Sequence, residues 1–178
     1  MILKVVLATV LLCVVCVGMM LWLGARLPVR HRVAVAAHLR QSQEQVFDVI
    51  ADIATAAAWR TGMTASEALD PAADGTPRFR QTDGNGTIAY RIEASERPTR
   101  FVTRIDDPAL PFGGTWSIST ARDGDVTNVE IVEDGEIRSS LFRFFARYVF
   151  GYYGSAESYL VALGKKFGEE VQVRRIDL

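Results

Sequence analysis

An uncharged stretch near the start of the chain constrains its fold more than any other feature. Residues 5–25 form a 21-residue apolar run that only Thr9 interrupts. As an α-helix this run is about 31 Å long, which matches the hydrocarbon core of a bilayer. The apolar segment of a signal peptide is usually shorter, roughly 7–15 residues, and here a single Lys4 precedes the run. We therefore predict an uncleaved, single-pass transmembrane helix that contacts the lipid bilayer through residues 5–25.

The flanks of this run predict its orientation and leave one alternative open. Leu23-Gly24-Ala25 resembles a processing site, so a cleaved signal peptide is the rival interpretation. Lys4 and the terminal amine precede the run, whereas Arg26, Arg30 and Arg32 follow it closely. Because basic residues concentrate on the cytoplasmic side of membrane helices, we expect the C-terminal domain to face the cytoplasm.

The rest of the chain has the size and composition of one globular domain. We assign residues 1–31 to the helix and its basic flank, and residues 32–178 to the domain. Four of the 20 basic residues lie at or before residue 32, which leaves residues 33–178 with 16 basic against 21 acidic residues, a net charge of −5. With two histidines, and two cysteines that both lie in the apolar run, the chain lacks the residues of most metal and nucleophile–histidine sites. We predict no metal, no cofactor and no nucleic-acid partner.

The domain's pattern is strand, short helix, several strands and a long helix. Residues 33–39 alternate as a strand does, and Ser42 with Gln45 predicts a capping box at the start of a helix. The period is then two residues, with turn signals between the segments. The predicted strands are 65–69, 78–82, 87–94, 101–105, 115–120 and 127–132. Residues 139–167 are again helical in pattern, and Gly151 and Gly154 are positions where this helix can kink or split.

Three segments of this pattern resemble a known superfamily. They are residues 33–52 with Trp59, residues 112–116, and residues 142–160. They are similar to the first strand and helix, the central strand and the covering helix of START-like proteins. This superfamily is also called SRPBCC or helix-grip, and the match is to its polyketide cyclase/dehydrase-like branch. The resemblance covers nearly all of residues 32–170 and implies an α+β fold in which a curved antiparallel sheet covers a long C-terminal helix.

Aromatic residues are the candidates for a binding site. Because aromatic side chains dominate protein cores by buried area, a filled core is the simpler interpretation. The resemblance instead implies a hydrophobic cavity between sheet and helix, with these side chains lining it. The candidate cavity residues are Phe79, Tyr90, Phe101, Trp116, Phe145, Tyr148 and Tyr152.

The polar residues suggest no catalytic group. His38 is expected at the surface, and residue 31 falls in the flank. The acidic pairs 106–107, 133–134 and 169–170 are each expected beside a turn or terminus, where carboxylates are usually solvated. A metal site is not predicted at any of them.

Three functions agree with this sequence. The first, which we favour, is a membrane-anchored domain that binds or transfers a hydrophobic or amphipathic small molecule. The second is a cyclase- or dehydratase-like enzyme, which would need a buried acid–base pair facing the cavity. The third is a tethered interaction domain with a filled core.

Overall fold

The computed structural model describes residues 2–178 and begins with the apolar helix. Helix α1 runs without interruption over Ile2–Arg26. Its charged residues are Lys4 and Arg26, at its two ends, so α1 is long and apolar enough to cross a membrane. A signal sequence near the N-terminus would satisfy the same criterion.

Eight strands form one sheet in which all neighbours are antiparallel. Their order across the sheet is β2-β3-β4-β5-β6-β7-β1-β8. The strands are β1 Arg30–Leu39, β2 Met63–Leu69, β3 Arg78–Asp83, β4 Gly86–Glu96, β5 Arg100–Ile105, β6 Phe112–Asp123, β7 Val126–Ile137 and β8 Arg174–Ile176. Together with the helices, this sheet confirms the expected α+β helix-grip fold.

The first helix of the domain begins at the expected cap. Helix α2 spans Gln43–Ala51, and Ser42 Oγ accepts from the Gln45 backbone N–H at 3.3 Å. The Ser42 backbone N–H donates to Gln45 Oε1 at 3.2 Å, which completes the capping box. The apolar face of α2, which includes Phe47, is buried against the sheet and covers one end of its concave face.

The expected covering helix at 139–167 is divided in two. Helix α3 covers Ser140–Phe145 and continues into a π-helical turn at Ala146–Phe150. The helix ends at Gly151, whose φ of 76° lies in the left-handed region. Helix α4 then covers Gly154–Lys166. Of these two helices, α4 packs into the core of the domain, whereas α3 contacts α1.

One end of the concave face is filled and the other is partly open. At the filled end, α2 and α4 bury side chains from four strands. These are Val35, Ala37, Leu39, Phe101, Ile118, Val129 and Ile131. At the other end, where α3 leaves the sheet, Tyr90, Ile92 and Trp116 are only half-buried. We call this partly open end the groove.

Candidate functional site

A carboxylate with two fixed hydrogen-bond donors lies in the groove. Register places Glu133 of β7 directly opposite Trp116 of β6, with the side chains on the concave face. Trp116 Nε1 donates to Glu133 Oε2 at 2.9 Å, and His31 Nε2 lies 3.2 Å from Glu133 Oε1. The side chains of His31 and Glu133 are 12% and 19% exposed. A carboxylate has about four lone-pair sites, so Glu133 can still accept from a ligand.

Two neighbours fix the orientation of the His31 ring. The imidazole stacks on Tyr152, with ring centroids 4.3 Å apart and planes 18° from parallel. On its other side lies Gly135 of β7, where an added Cβ would collide with the ring. Because the glycine has no side chain, the imidazole occupies that space and stays within reach of Glu133.

A second polar group enters from the loop after α2. Arg60 Nη1 donates to Gln81 Oε1 at 2.8 Å, and the guanidinium lies 4.9 Å from the centre of the Tyr159 ring. Tyr159 of α4 also meets Trp59 and Trp116 edge to face, at centroid distances of 5.2 and 5.8 Å. The Arg60 guanidinium therefore lies against one ring of a cluster of three aromatic side chains beside the groove and forms a cation–π contact with it.

Two tyrosine hydroxyls stay protonated in this environment. Burial raises the pKa of Tyr159 to about 12, against the opposing effect of Arg60. Burial also raises the pKa of Tyr90, with Arg60 opposing and Glu133 among the charges that add to the rise. Tyr90 stacks on Phe79 at 5.1 Å. Both hydroxyls therefore remain neutral groups that can donate a hydrogen bond at physiological pH.

The structure brings together four of the seven predicted cavity residues. Tyr90 and Trp116 line the groove, Phe79 supports Tyr90 from a buried position, and Tyr152 covers His31 at the edge. Phe101 lies deeper, in the filled end of the core.

Phe145 and Tyr148 lie outside the groove, which corrects their expected place on the covering helix, lining a cavity against the sheet. Phe145 contacts Phe144 and Phe150, and Tyr148 is 56% exposed beside Phe144. The reason is the break at Gly151, which turns α3 and the π-helical turn away from the sheet.

Sequence reasoning missed His31, Glu133 and Arg60. His31 was placed in the flank, yet β1 begins at Arg30. Glu133 was expected beside a turn, yet β7 continues to Ile137. The signal that could have located Glu133 is the alternation of apolar side chains at 129 and 131, which continues to 133 on the same face.

The other polar candidates have structural partners. His38 is 41% exposed and lies 3.3 Å from Asp123, as its expected surface position implies. Asp106 pairs with Arg78 at 2.7 Å. Glu169 was expected to be solvated but is buried, and it accepts from the Arg40 backbone N–H at 3.3 Å. In residues 2–178, no group of three or more His, Cys, Asp or Glu is arranged to hold a metal ion.

A polar cleft of about 600 Å³ opens where β1, β6 and β7 meet the loop after β5. Its lining includes the charged side chains Arg30, Arg104, Asp106, Asp134, Glu136 and Arg138. Several of these neutralise one another or a neighbour, as Arg138 does with Glu136 and Arg104 with Glu93. An apolar ligand would gain little from a lining this polar, whereas the groove, which shares His31 with the cleft, offers the partly exposed apolar side chains of the concave face.

Comparison with known proteins agrees with this architecture. The family model described as "Polyketide cyclase / dehydrase and lipid transport" matches residues 30–157. The chain belongs to this family. Its match begins at the first residue of β1 and therefore includes His31 and Glu133. No curated protein sequence matches the chain.

Solved structures share the fold at low sequence identity. A START superfamily protein from Mycobacterium smegmatis is 16% identical, with a TM-score of 0.61 over 76% of this chain and 96% of its own. The Zhui aromatase/cyclase from a Streptomyces species is 15% identical, with a TM-score of 0.58 over 75% and 91%. Norcoclaurine synthase from Thalictrum flavum is 8% identical, with a TM-score of 0.60 over 78% and 87%. At these identities the likeness shows the fold alone.

Proposed function

We propose that this family member is a membrane-anchored domain that binds an amphipathic small molecule in the groove. The observation that carries the proposal is the half-covered concave face, where Trp116 donates to the Glu133 carboxylate and Tyr90 and Ile92 are also partly exposed. An apolar ligand surface placed there gains about 25 cal/mol per Å² removed from water. The cost of ordering ligand and protein offsets part of that gain.

The polar groups of the groove define the chemistry of the ligand. Glu133 keeps free lone pairs after binding Trp116 and His31, so it would accept a hydrogen bond from a ligand hydroxyl. Arg60 and the protonated Tyr90 would donate to a carbonyl or carboxylate oxygen. The ligand we infer has an apolar body with at least one oxygen function at one end.

The membrane anchor is part of the same proposal. Several features of α1 support it, namely its length, its hydropathy and its contact with the domain. Arg143 Nε donates to the Gly24 carbonyl at 2.8 Å, and cleavage after Ala25 would remove that partner. An intact helix therefore agrees better with the fold than a cleaved signal peptide does. The basic residues that follow α1 favour a cytoplasmic domain.

Photocrosslinking tests the groove. The full chain in lipid vesicles is irradiated with a diazirine-bearing fatty-acyl or polyprenyl probe, and the modified peptides are identified by mass spectrometry. We expect labelling on β4 and β6, and loss of that labelling in Thr103→Phe, which places a ring beside Trp116 and Ile92. Ser119→Phe, on the exposed outer face of β6, is the size-matched control and should label normally. Labelling confined to α1 would contradict the proposal.

An enzyme is the second candidate, and the His31–Glu133 pair specifically favours it. The two side chains lie 3.2 Å apart on the groove, an arrangement suited to general acid–base catalysis. Glu133 would orient the imidazole, and His31 would take a proton from a bound polyketide-like carbonyl compound and return it.

The two candidates differ in what His31→Gln removes. A catalyst would lose turnover of a poly-carbonyl compound, seen as loss of cyclised or dehydrated product, and would keep its labelling by the acyl probe. A binding module would show no turnover in either form of the protein.

A further inference from the structure

Large apolar side chains are exposed at the end of the π-helical turn that follows α3. Tyr148, Val149 and Phe150 are consecutive and are 56%, 59% and 67% exposed. Phe144 and Phe145 extend the same surface through ring contacts with Tyr148 and Phe150. We call these five residues the aromatic patch. Contiguous apolar surfaces of this kind mark sites that contact a partner or a membrane.

The aromatic patch is attached to the end of the anchor. An added Cβ at Gly24 would collide with the carbonyl of Ser140 and would lie 3.3 Å from Phe144 Cβ. The Arg143 guanidinium is buried and donates to the carbonyls of Gly24, Ile137 and Arg138 at 2.8–2.9 Å. A charge this well satisfied holds α3 firmly against α1.

One face of α1 shows how deep the domain extends along the helix. Most residues of the apolar run are exposed, but a stripe on one helical face is partly or fully covered. The stripe consists of Cys16, Met20, Leu23 and Gly24. From Cys16 to Gly24 the helix rises about 12 Å at 1.5 Å per residue. If α1 crosses the membrane, part of the domain therefore lies at the depth of the bilayer.

The charges beside the aromatic patch fit a lipid surface. Residues 139–156 contain Arg143 and Arg147 and no acidic residue, and the chain before Glu44 likewise carries only basic charges. The domain as a whole is acidic, so this bias is local. Arginine stems lie along apolar surface while their guanidinium groups reach lipid phosphates.

We propose that Ser140–Phe150 is a second membrane contact, which lies in the bilayer interface beside α1. This proposal rests on the anchoring proposed above and adds a site to it. Tyr148, Val149 and Phe150 enter the acyl boundary, and Arg147 meets anionic headgroups, as in interfacial amphipathic helices. The occupant is the bilayer, because the aromatic patch is continuous with the anchor that crosses it.

The position of the groove gives this contact a consequence. Tyr152, two residues after the aromatic patch, is the residue that stacks on His31. The membrane contact therefore holds the edge of the groove at the lipid surface. An amphipathic ligand can pass from the bilayer into the groove without crossing bulk water.

Site-specific fluorescence tests the proposal in the full chain. In a Cys13→Ala, Cys16→Ala background, single cysteines at Val10, Phe150 and Asn85 are labelled with an environment-sensitive dye. The protein is placed in phosphatidylcholine–phosphatidylglycerol vesicles. Lipid-attached nitroxide and aqueous iodide then serve as alternative quenchers. Val10 reports the anchor, and Asn85 is exposed in the β3–β4 turn.

We expect the Phe150 label to have blue-shifted emission and to lose most of its intensity to the lipid quencher, as the Val10 label does. The Asn85 label should respond to iodide alone. Quenching of the Phe150 label by iodide, with Val10 still in lipid, would overturn the second contact and leave the anchor intact. Iodide access at both positions would overturn both proposals. Protection of the Phe150 label from both quenchers would indicate a protein partner or a second copy, and would also overturn the second contact.

Discussion

Residues 139–167 consist of two halves, α3 with its π-helical turn before Gly151 and α4 after it. Both halves have an apolar helical pattern, but one is largely exposed and the other is buried. In α4, Tyr159, Leu160 and Leu163 are buried in the core. In the stretch before Gly151, Tyr148, Val149 and Phe150 are more than half exposed. Helical periodicity shows that a face is apolar, but it does not show whether protein or lipid covers that face. What differs between the two stretches is their neighbour: α3 contacts α1, whereas α4 packs against the core of the domain.

Core truncation should give the largest difference between the halves. Leu163 is fully buried, so we expect Leu163→Ala to reduce the free energy of unfolding by about 2–5 kcal/mol. Val149→Ala, in the exposed half, should change it by less than about 0.5 kcal/mol. Guanidinium unfolding of the full chain in micelles, followed by tryptophan fluorescence, measures both. Equal losses in the two variants would show that Val149 is packed against protein.

A substitution at Gly24 should break the contact between α1 and α3. In Gly24→Val the side chain would overlap the Ser140 carbonyl, and overpacking of this kind typically costs about 1–3 kcal/mol. We expect α3 to separate from α1, which would expose the chain after Arg143 to trypsin. The matched control is Gly18→Val, because an added Cβ at Gly18 has no neighbour within 4 Å. Equal protection in the two variants would mean that α3 does not pack at Gly24.

Sequence patterns predicted the strands well because apolar and polar residues alternate in each of them and residues typical of turns follow. Six strands between residues 63 and 137 were located, and the structure extends each of them, by one to six residues in total. The extension of β7 mattered most, because it places Glu133 in the groove. Asp134-Gly135 has the composition of a turn, yet Gly135 is needed there because the His31 ring occupies its side-chain space.

The binding site was harder to predict than the fold because its residues are distant in sequence. His31 and Glu133 are separated by 102 positions and meet only through the β1–β7 register. The strand β8, which has three residues, is too short for a period to show. The split at Gly151 could be read from the sequence, but the packing of α3 against α1 joins residues more than 100 positions apart, which no local pattern in residues 139–167 encodes.

The pH dependence of stability should report the burial of Tyr159 in α4. Because burial raises its pKa to about 12 in the folded state, folding keeps a proton that the unfolded chain loses near pH 10. Stability from this group is full below pH 10 and is lost as the pH rises through 12. We expect the free energy of unfolding to fall by on the order of 1 kcal/mol between pH 9 and 11. Tyr159→Phe should remove this part of the pH dependence, and an unchanged slope in that variant would contradict the assignment.

The smallest single effect is expected at Gly154, the second of the two glycines at the junction of α3 and α4. Gly151 has φ 76° and ψ 165°, a region essentially restricted to glycine, so Gly151→Ala should cost about 1–3 kcal/mol. Gly154 begins α4 without a positive φ, and an added Cβ there has no neighbour within 4 Å. Alanine fits this position and restricts the unfolded chain, so Gly154→Ala should increase stability by about 0.4–1 kcal/mol. Chemical unfolding of both variants should therefore give shifts of opposite sign. A loss in Gly154→Ala would mean that both glycines form the hinge, whereas a gain places the hinge at Gly151.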